Sequence, residues 1–269
     1  MGETASITLF GPPRVSTNAS GRVAFATIRS RNLLFILALQ RGRAIVRDKL
    51  FDLLWPSTPP AHPRRALNNE LWRLRKSFSD NGFDADNIIV TDGETIALKA
   101  DSTLRVDLYA FEDAADRVME MGPTAEVQAL EAERLYQGEL LSGVYEDWCL
   151  APREACRARF LEIMESFLEM HISLRHWREA IRIGNRILTE DHFLEHIHRH
   201  VMRCYAHLGD RAAAARQYDV LKKDLDVNLG VSPSPETTAL HEALAGEKAI
   251  APEKNGYTEQ AAADESIRQ

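Results

Sequence analysis

Between Arg64 and Phe78 the apolar residues Leu67, Leu71, Leu74 and Phe78 recur at i, i+4, i+7 and i+11. That spacing predicts a helix with one apolar stripe. Arg65, Asn68, Asn69, Trp72, Arg73 and Lys76 lie away from the stripe, and Arg75 sits at its edge. Pro63 suits the first turn, where a missing N–H costs nothing. Upstream, strand-like runs at Ile7–Phe10, Arg14–Ser16 and Arg22–Ala26 predict a small antiparallel sheet, broken by Gly11-Pro12-Pro13 and by residues 18–21. Two helices follow. The first, Ser30–Leu39, turns Leu33, Leu34, Ile36 and Leu37 inward. The second, Val46–Trp55, has Leu50, Leu53 and Leu54 as its stripe and stops at Pro56. Ile88–Val90 and Thr95–Leu98 then flank Asp92-Gly93, a two-residue hairpin signal whose simple register sets Ile89 opposite Ile96. A sheet, three helices and a hairpin, with the third helix basic, is the order of a winged helix-turn-helix.

From about Leu104 the pattern turns helical and stays so. The predicted helices are 108–121, 124–136, 153–174, 177–188, 193–208, 212–225 and 236–244. Self-comparison at an offset of 34 sets Trp177 on Arg211, Ala180 on Ala214, Met170 on Cys204, Leu174 on Leu208 and Ile187 on Leu221. This is the tetratricopeptide period, in which small residues let paired helices approach. Gly122-Pro123 opening onto Ala129 and Ala132 reads as an earlier, divergent unit. The expected fold is mainly α: a winged helix over 1–101, then an all-α tetratricopeptide-like domain over 102–248. The polar, Ala- and Glu-rich residues 249–269 are expected to be a disordered tail.

The net charge of −7 conceals a split. Residues 1–100 hold 14 Lys and Arg against 9 Asp and Glu; the remainder holds 19 against 31. A positive N-terminal module on an acidic C-terminal one suggests nucleic acid at one end and another kind of partner at the other. Cys149, Cys156 and Cys204 are too few and scattered for a disulfide framework or a paired zinc motif. No stretch reads as a secretion signal or a membrane span. A cytoplasmic protein without membrane association is expected.

The polar face of the basic helix carries the chemistry. Arg is bidentate to guanine, Asn is bidentate to adenine, and Arg or Lys meets phosphate. The bland alternative is a solvated face laced with salt bridges. Trp72 discriminates between them, since an exposed indole is unfavourable unless it stacks on DNA or on a neighbouring domain. Glu70 interrupts the run, either to accept from a cytosine amine or to pair with Arg73 or Lys76. His192, His196, His198 and His200 invite a metal reading, but no framing ligand accompanies them and surface histidines are expected. No nucleophile–base arrangement, phosphate loop or carboxylate pair stands out, so neither catalysis nor a cofactor is expected.

Several motifs together resemble one family. They are Leu9-Phe-Gly-Pro-Pro-Arg-Val15, Asp48-Lys-Leu50 with Leu53-Leu-Trp55, Ala66-Leu67 and Arg73-Leu-Arg-Lys76. Downstream come Tyr136-Gln-Gly-Glu-Leu140, Tyr145-Glu-Asp-Trp148, Leu208-Gly-Asp210, Gln217-Tyr218 and Leu229-Gly-Val231 with Pro233-Ser-Pro-Glu236. Over Ile7–Gly246 the chain resembles the SARP-type bacterial transcriptional regulators. These join an OmpR-like winged helix to a tetratricopeptide-like bacterial transcriptional activator domain. The resemblance places Arg65, Asn69, Trp72, Arg73 and Arg75 where the family's third helix contacts DNA. Trp55 and the loop after it fall at the backbone-contacting, polymerase-facing turn. At the wing the sequence departs from the pattern, with Asp92-Gly93-Glu94 in place of a basic tip. That acidic tip shifts the burden onto the third helix.

The expected function is a sequence-specific DNA-binding transcriptional regulator, an activator that contacts RNA polymerase. The candidate DNA contacts are Arg64, Arg65, Asn68, Asn69, Trp72, Arg73, Arg75, Lys76, Trp55, Thr91 and Thr95. Expected partners are double-stranded promoter DNA, RNA polymerase and a second copy on DNA, since one winged helix buries modest area. The rival readings are a protein-interaction adaptor whose winged helix binds DNA weakly or not at all, and a repressor or ligand-gated regulator.

Overall fold

The computed structural model describes residues 4–99, 103–122 and 125–246. The expected tail, 249–269, lies outside them. The chain divides into two compact units, Met1–Ile163 and Met164–Gln269.

In the first unit, β1 (Ala5–Thr8) pairs antiparallel with β2 (Arg14–Thr17), which continues to the short β3 (Gly21–Arg22). The run Arg22–Ala26 therefore gives only one strand residue. The chain leaves the sheet to cap α1 (Ile28–Ala38), where the Thr27 hydroxyl accepts from the Ser30 amide at 3.0 Å. Leu33, Leu34, Phe35, Ile36 and Leu37 are all buried. This helix is enclosed on several sides, which is why its sequence shows a run of apolar residues and no narrow stripe.

A two-residue strand, β4 (Ile45–Val46), leads into α2 (Arg47–Leu54), and α3 spans Pro63–Ser79 with Pro63 in its first turn. The hairpin is β5 (Ile89–Thr91) and β6 (Thr95–Leu98), and β4 pairs with β6 to complete a sheet of order β4-β6-β5. Its register differs from the expected one: Ile89 faces Leu98 and Thr91 faces Ile96. Three residues, 92–94, separate the strands, and Asp92 Oδ1 accepts from both the Thr95 amide (2.7 Å) and its hydroxyl (2.9 Å). A shift of two residues keeps every side chain on its face, so Ile89, Ile96 and Leu98 remain buried.

Residues after 103 do not turn helical at once. β7 (Leu104–Val106) pairs parallel with β1, giving a four-stranded order β3-β2-β1-β7. α4 (Asp107–Met121) follows directly, and its first residue ties it to the sheet. The Asp107 carboxylate accepts from the Leu9 amide (2.8 and 2.9 Å) and the Phe10 amide (3.0 Å). α5 (Glu126–Leu135) packs on α4 with Ala129 and Ala132 buried. The loop beyond runs beside β1's end: Leu141 N–H donates to Leu9 O at 2.7 Å and Gly11 N–H to Glu139 O at 3.0 Å. Arg153 holds that loop by donating to the carbonyls of Leu140, Leu141 and Val144 at 3.0–3.1 Å. Arg153 lies on α6 (Leu150–Ser173).

The second unit shows the repeat in its backbone. α6 ends at Ser173 and α8 (Glu195–His207) at His207; α7 (Trp177–Glu190) begins at Trp177 and α9 (Arg211–Leu229) at Arg211. Both differences are 34. The turns repeat as well, with left-handed backbone at Arg175 (φ 59°) and Gly209 (φ 77°). α10 (Pro235–Gly246) closes the unit against α8 and α9. Gly184 marks the tightest helix approach: a Cβ there would lie 2.5 Å from Val201 Cγ2.

One histidine departs from the surface expectation. His198 is buried, its Nε2–H donating to His192 O at 3.1 Å and its Nδ1 accepting from Gln217 Nε2 at 2.8 Å. Val201 and Met202, three and four residues on, are buried with it, but the spacing does not show the glutamine on the next helix. Among the described residues, no group of three or more His, Cys, Asp or Glu is arranged to hold a metal ion. No helix among them is long and apolar enough to cross a membrane.

Candidate nucleic-acid interface

α3 is two stripes back to back. Leu67, Leu71, Leu74 and Phe78 are buried against α1, α2 and the 3₁₀ turn at Ala85–Asn87. Arg65, Asn69, Trp72 and Lys76 follow the same i, i+4, i+7, i+11 spacing two positions earlier. Two residues are about 200° of helical turn, so this second stripe points directly away from the first. All four are exposed, and the Trp72 indole is 62 % exposed. Arg64 is exposed beside them in the first turn.

The flanks are more constrained. Glu70 is 6 % exposed and faces inward, accepting from the Thr27 hydroxyl at 2.5 Å and from Arg73 Nη1 at 2.5 Å. Of its expected roles, pairing with Arg73 is the one seen; an acid held under α1 does not reach a cytosine amine. Arg73 is accordingly half-buried, with one nitrogen committed. Arg75 Nε lies 2.8 Å from Asp86 Oδ1 without hydrogen-bond alignment, so the contact is a charge pairing only. Lys76 pairs with Asp80 at 2.9 Å, both half-exposed. Exposed pairs of this kind contribute at most about 1 kcal/mol, so Lys76 exchanges Asp80 for another anion cheaply. Asn68 is exposed, with Oδ1 accepting from Arg47 Nη1 at 2.9 Å.

Two expected contacts sit differently. Trp55 is only 9 % exposed; its ring lies under the Arg29 guanidinium, 5.6 Å from the ring centroid. It closes α2, its backbone N–H donating to Phe51 O at 2.9 Å, and is largely covered. At the wing, Thr91 is exposed, but the Thr95 hydroxyl proton is given to Asp92. The same two bonds from Thr95 hold the Asp92 carboxyl below the usual range, so the tip stays anionic. Sequence reasoning missed Arg47, which comes from another helix and leaves no trace in the spacing of α3. It also started α1 too late, although a Thr27-x-x-Ser30 cap was there to be read.

The three cysteines are buried thiols. Burial pushes them up to about 11 for Cys149, 12 for Cys156 and 11 for Cys204. Such groups are protonated near neutrality and poor nucleophiles.

A family model described as the bacterial transcriptional activator domain matches residues 106–245. The chain belongs to this family, the SARP-type regulators. This SARP-type protein is similar to the transcriptional regulatory protein MoaR1 of Mycobacterium tuberculosis, 24 % identical over 254 residues, covering 87 % of this chain and 76 % of MoaR1. It is also similar to the regulatory protein DnrI of Streptomyces peucetius, 25 % identical over 250 residues, covering 88 % of this chain and 91 % of DnrI. Its fold matches the solved structure of Mycobacterium tuberculosis EmbR in complex with a low-affinity phosphopeptide, with a TM-score of 0.73 at 20 % identity, over 100 % of this chain and 72 % of that one. The regulator is thus a DNA-binding transcriptional regulator, in a family of transcriptional regulators.

Proposed function

We propose that α3 enters the major groove of promoter DNA with its outer stripe leading. Arg65 and Asn69 meet base edges, Trp72 packs on a sugar or thymine methyl, and Lys76 meets phosphate after releasing Asp80. Arg64 adds a backbone contact at the helix start, and Arg73 and Arg75 contribute through nitrogens left over from Glu70 and Asp86. Asn68 and Thr91 flank the contact; Thr95 and Trp55 serve by shaping the wing and α2. The observation that carries this reading is the exposed Arg65–Asn69–Trp72–Lys76 line, set opposite a fully buried apolar stripe.

Two copies on direct repeats supply the area and specificity that one winged helix lacks. RNA polymerase is recruited beside them, which makes the protein an activator working in the cytoplasm. In this reading the DNA-reading part ends at residue 101 and the activator part begins at residue 102.

The test is selection of the full chain on a duplex library with a randomised core, followed by a salt titration on the recovered duplex. A defined motif is expected, with affinity falling steeply as salt rises, because each neutralised phosphate releases counterions. Recovery of random sequence with a flat salt response would favour the adaptor reading.

A further inference from the structure

Arg47 stands at a junction of three elements. Its amide donates to Glu94 O at 3.0 Å, tying the start of α2 to the wing, where Val46 also pairs with Thr95. Its guanidinium crosses to α3 and donates from Nη1 to Asn68 Oδ1 at 2.9 Å. A guanidinium carries donors only, so the Asn68 atom it meets must be the oxygen. The carboxamide is thereby fixed, with the oxygen turned toward Arg47 and Nδ2 left for solvent. Asn69, the next residue, has no side-chain hydrogen bond among the described residues and is exposed.

We infer that Arg47 is a positioning residue that turns the Asn68 amide so that its Nδ2 donor faces outward, leaving Asn69 as the asparagine free to orient its amide for bidentate adenine contact. This inference rests on α3 docking in the major groove as proposed above. Bidentate adenine recognition needs the amide oxygen to accept from N6 while the nitrogen donates to N7. At Asn68 the oxygen is turned toward Arg47, so the outward atom is the nitrogen, which addresses acceptors: guanine N7 or O6, thymine O4, adenine N7 or a phosphate oxygen. One operator position therefore prefers an acceptor edge because of a residue that touches no base. The clamp itself adds little stability, since Arg47 Nε is buried without a hydrogen-bond partner, which offsets the single bond from Nη1.

The experiment is randomised-duplex selection with the full chain as wild type, Arg47→Ala, Arg47→Gln and Asn68→Asp, with melting temperatures and potassium chloride titrations of each. For Arg47→Ala we expect a near-wild-type melting temperature and an unchanged salt slope. Its preference at one operator position should relax by roughly tenfold. Arg47→Gln can also accept from Asn68 Nδ2, so it no longer dictates the orientation of the amide and should relax the preference as Arg47→Ala does. Asn68→Asp keeps the acceptor for Arg47 but loses the outward donor, and should lose the acceptor-edge preference. If Arg47→Ala weakens all sequences equally and lowers the salt slope by about one, Arg47 is a phosphate contact and the inference is overturned. An unchanged motif in Arg47→Ala overturns it equally, while leaving the docking of α3 intact. If wild type selects no motif, both the inference and the docking fall.

Discussion

The Thr27 hydroxyl donates to Glu70 Oε2 at 2.5 Å, joining the cap of α1 to the middle of α3 across 43 residues of sequence. Thr27 caps its own helix with the same oxygen, and Glu70 also holds Arg73. One buried carboxylate thus links the cap of α1 to α3 and to Arg73.

Glu70→Ala should therefore cost stability rather than act on DNA directly. Removing the acceptor breaks the bonds from Thr27, whose hydroxyl still has Ser30 Oγ at 3.0 Å, and from the part-exposed Arg73, a loss of about 1 kcal/mol. Glu70→Gln keeps an acceptor and should lose less. Urea unfolding of the three proteins checks the order, and equal stability of all three would remove Glu70 from this role.

In the second unit, Gly184 is predicted to be intolerant of a methyl group. A Cβ 2.5 Å from Val201 Cγ2 forces α7 and α8 apart, and overpacking of this kind costs about 1–3 kcal/mol. Gly184→Ala should lower the melting temperature, and Val201→Ala in the same chain should recover part of the loss. A Gly184→Ala protein as stable as wild type would show that the helices do not pack this closely.

His198 should make stability depend on pH. Burial lowers its pKa below the ordinary 6.5, outweighing the bonds from its partners. The neutral ring suits the site, since Nδ1 must accept from Gln217. A histidine with a depressed folded value stabilises the fold above the unfolded value, and that stability is lost as pH falls through the folded one. Melting temperature should therefore drop on going from about pH 7.5 to about pH 5.5. His198→Gln should drop less over the same window. An identical fall in both proteins would assign the effect to other groups.

Much of this was legible in the sequence, for reasons that differ by element. The stripe of α3 was readable because one face is buried and one solvated, so the 3.6-residue period shows directly. The 34-residue repeat was readable for the same reason, since stacked helices impose the same demand twice, down to the left-handed turns at Arg175 and Gly209. The hairpin was found but its register was not, because the Asp92–Thr95 bonds that set the turn length are side-chain chemistry invisible to alternation. β7 was missed because three residues, Leu104–Val106, show no period and owe their strand to β1. Within the candidate interface, composition named the exposed residues. It did not show that Glu70 faces inward, that Trp55 is covered, or that Arg47 reaches Asn68, because each depends on a partner distant in sequence.

The most direct measurement is a binding isotherm for the full chain on the duplex it selects, beside Arg65→Ala and Trp72→Ala at one fixed salt concentration. Both side chains lie on the outer face of α3 away from the buried stripe, so circular dichroism and melting should stay as in wild type. Each substitution should weaken binding by roughly 1–3 kcal/mol, or about five- to 150-fold. Two well-folded variants with wild-type isotherms would contradict the docking of this face in the groove.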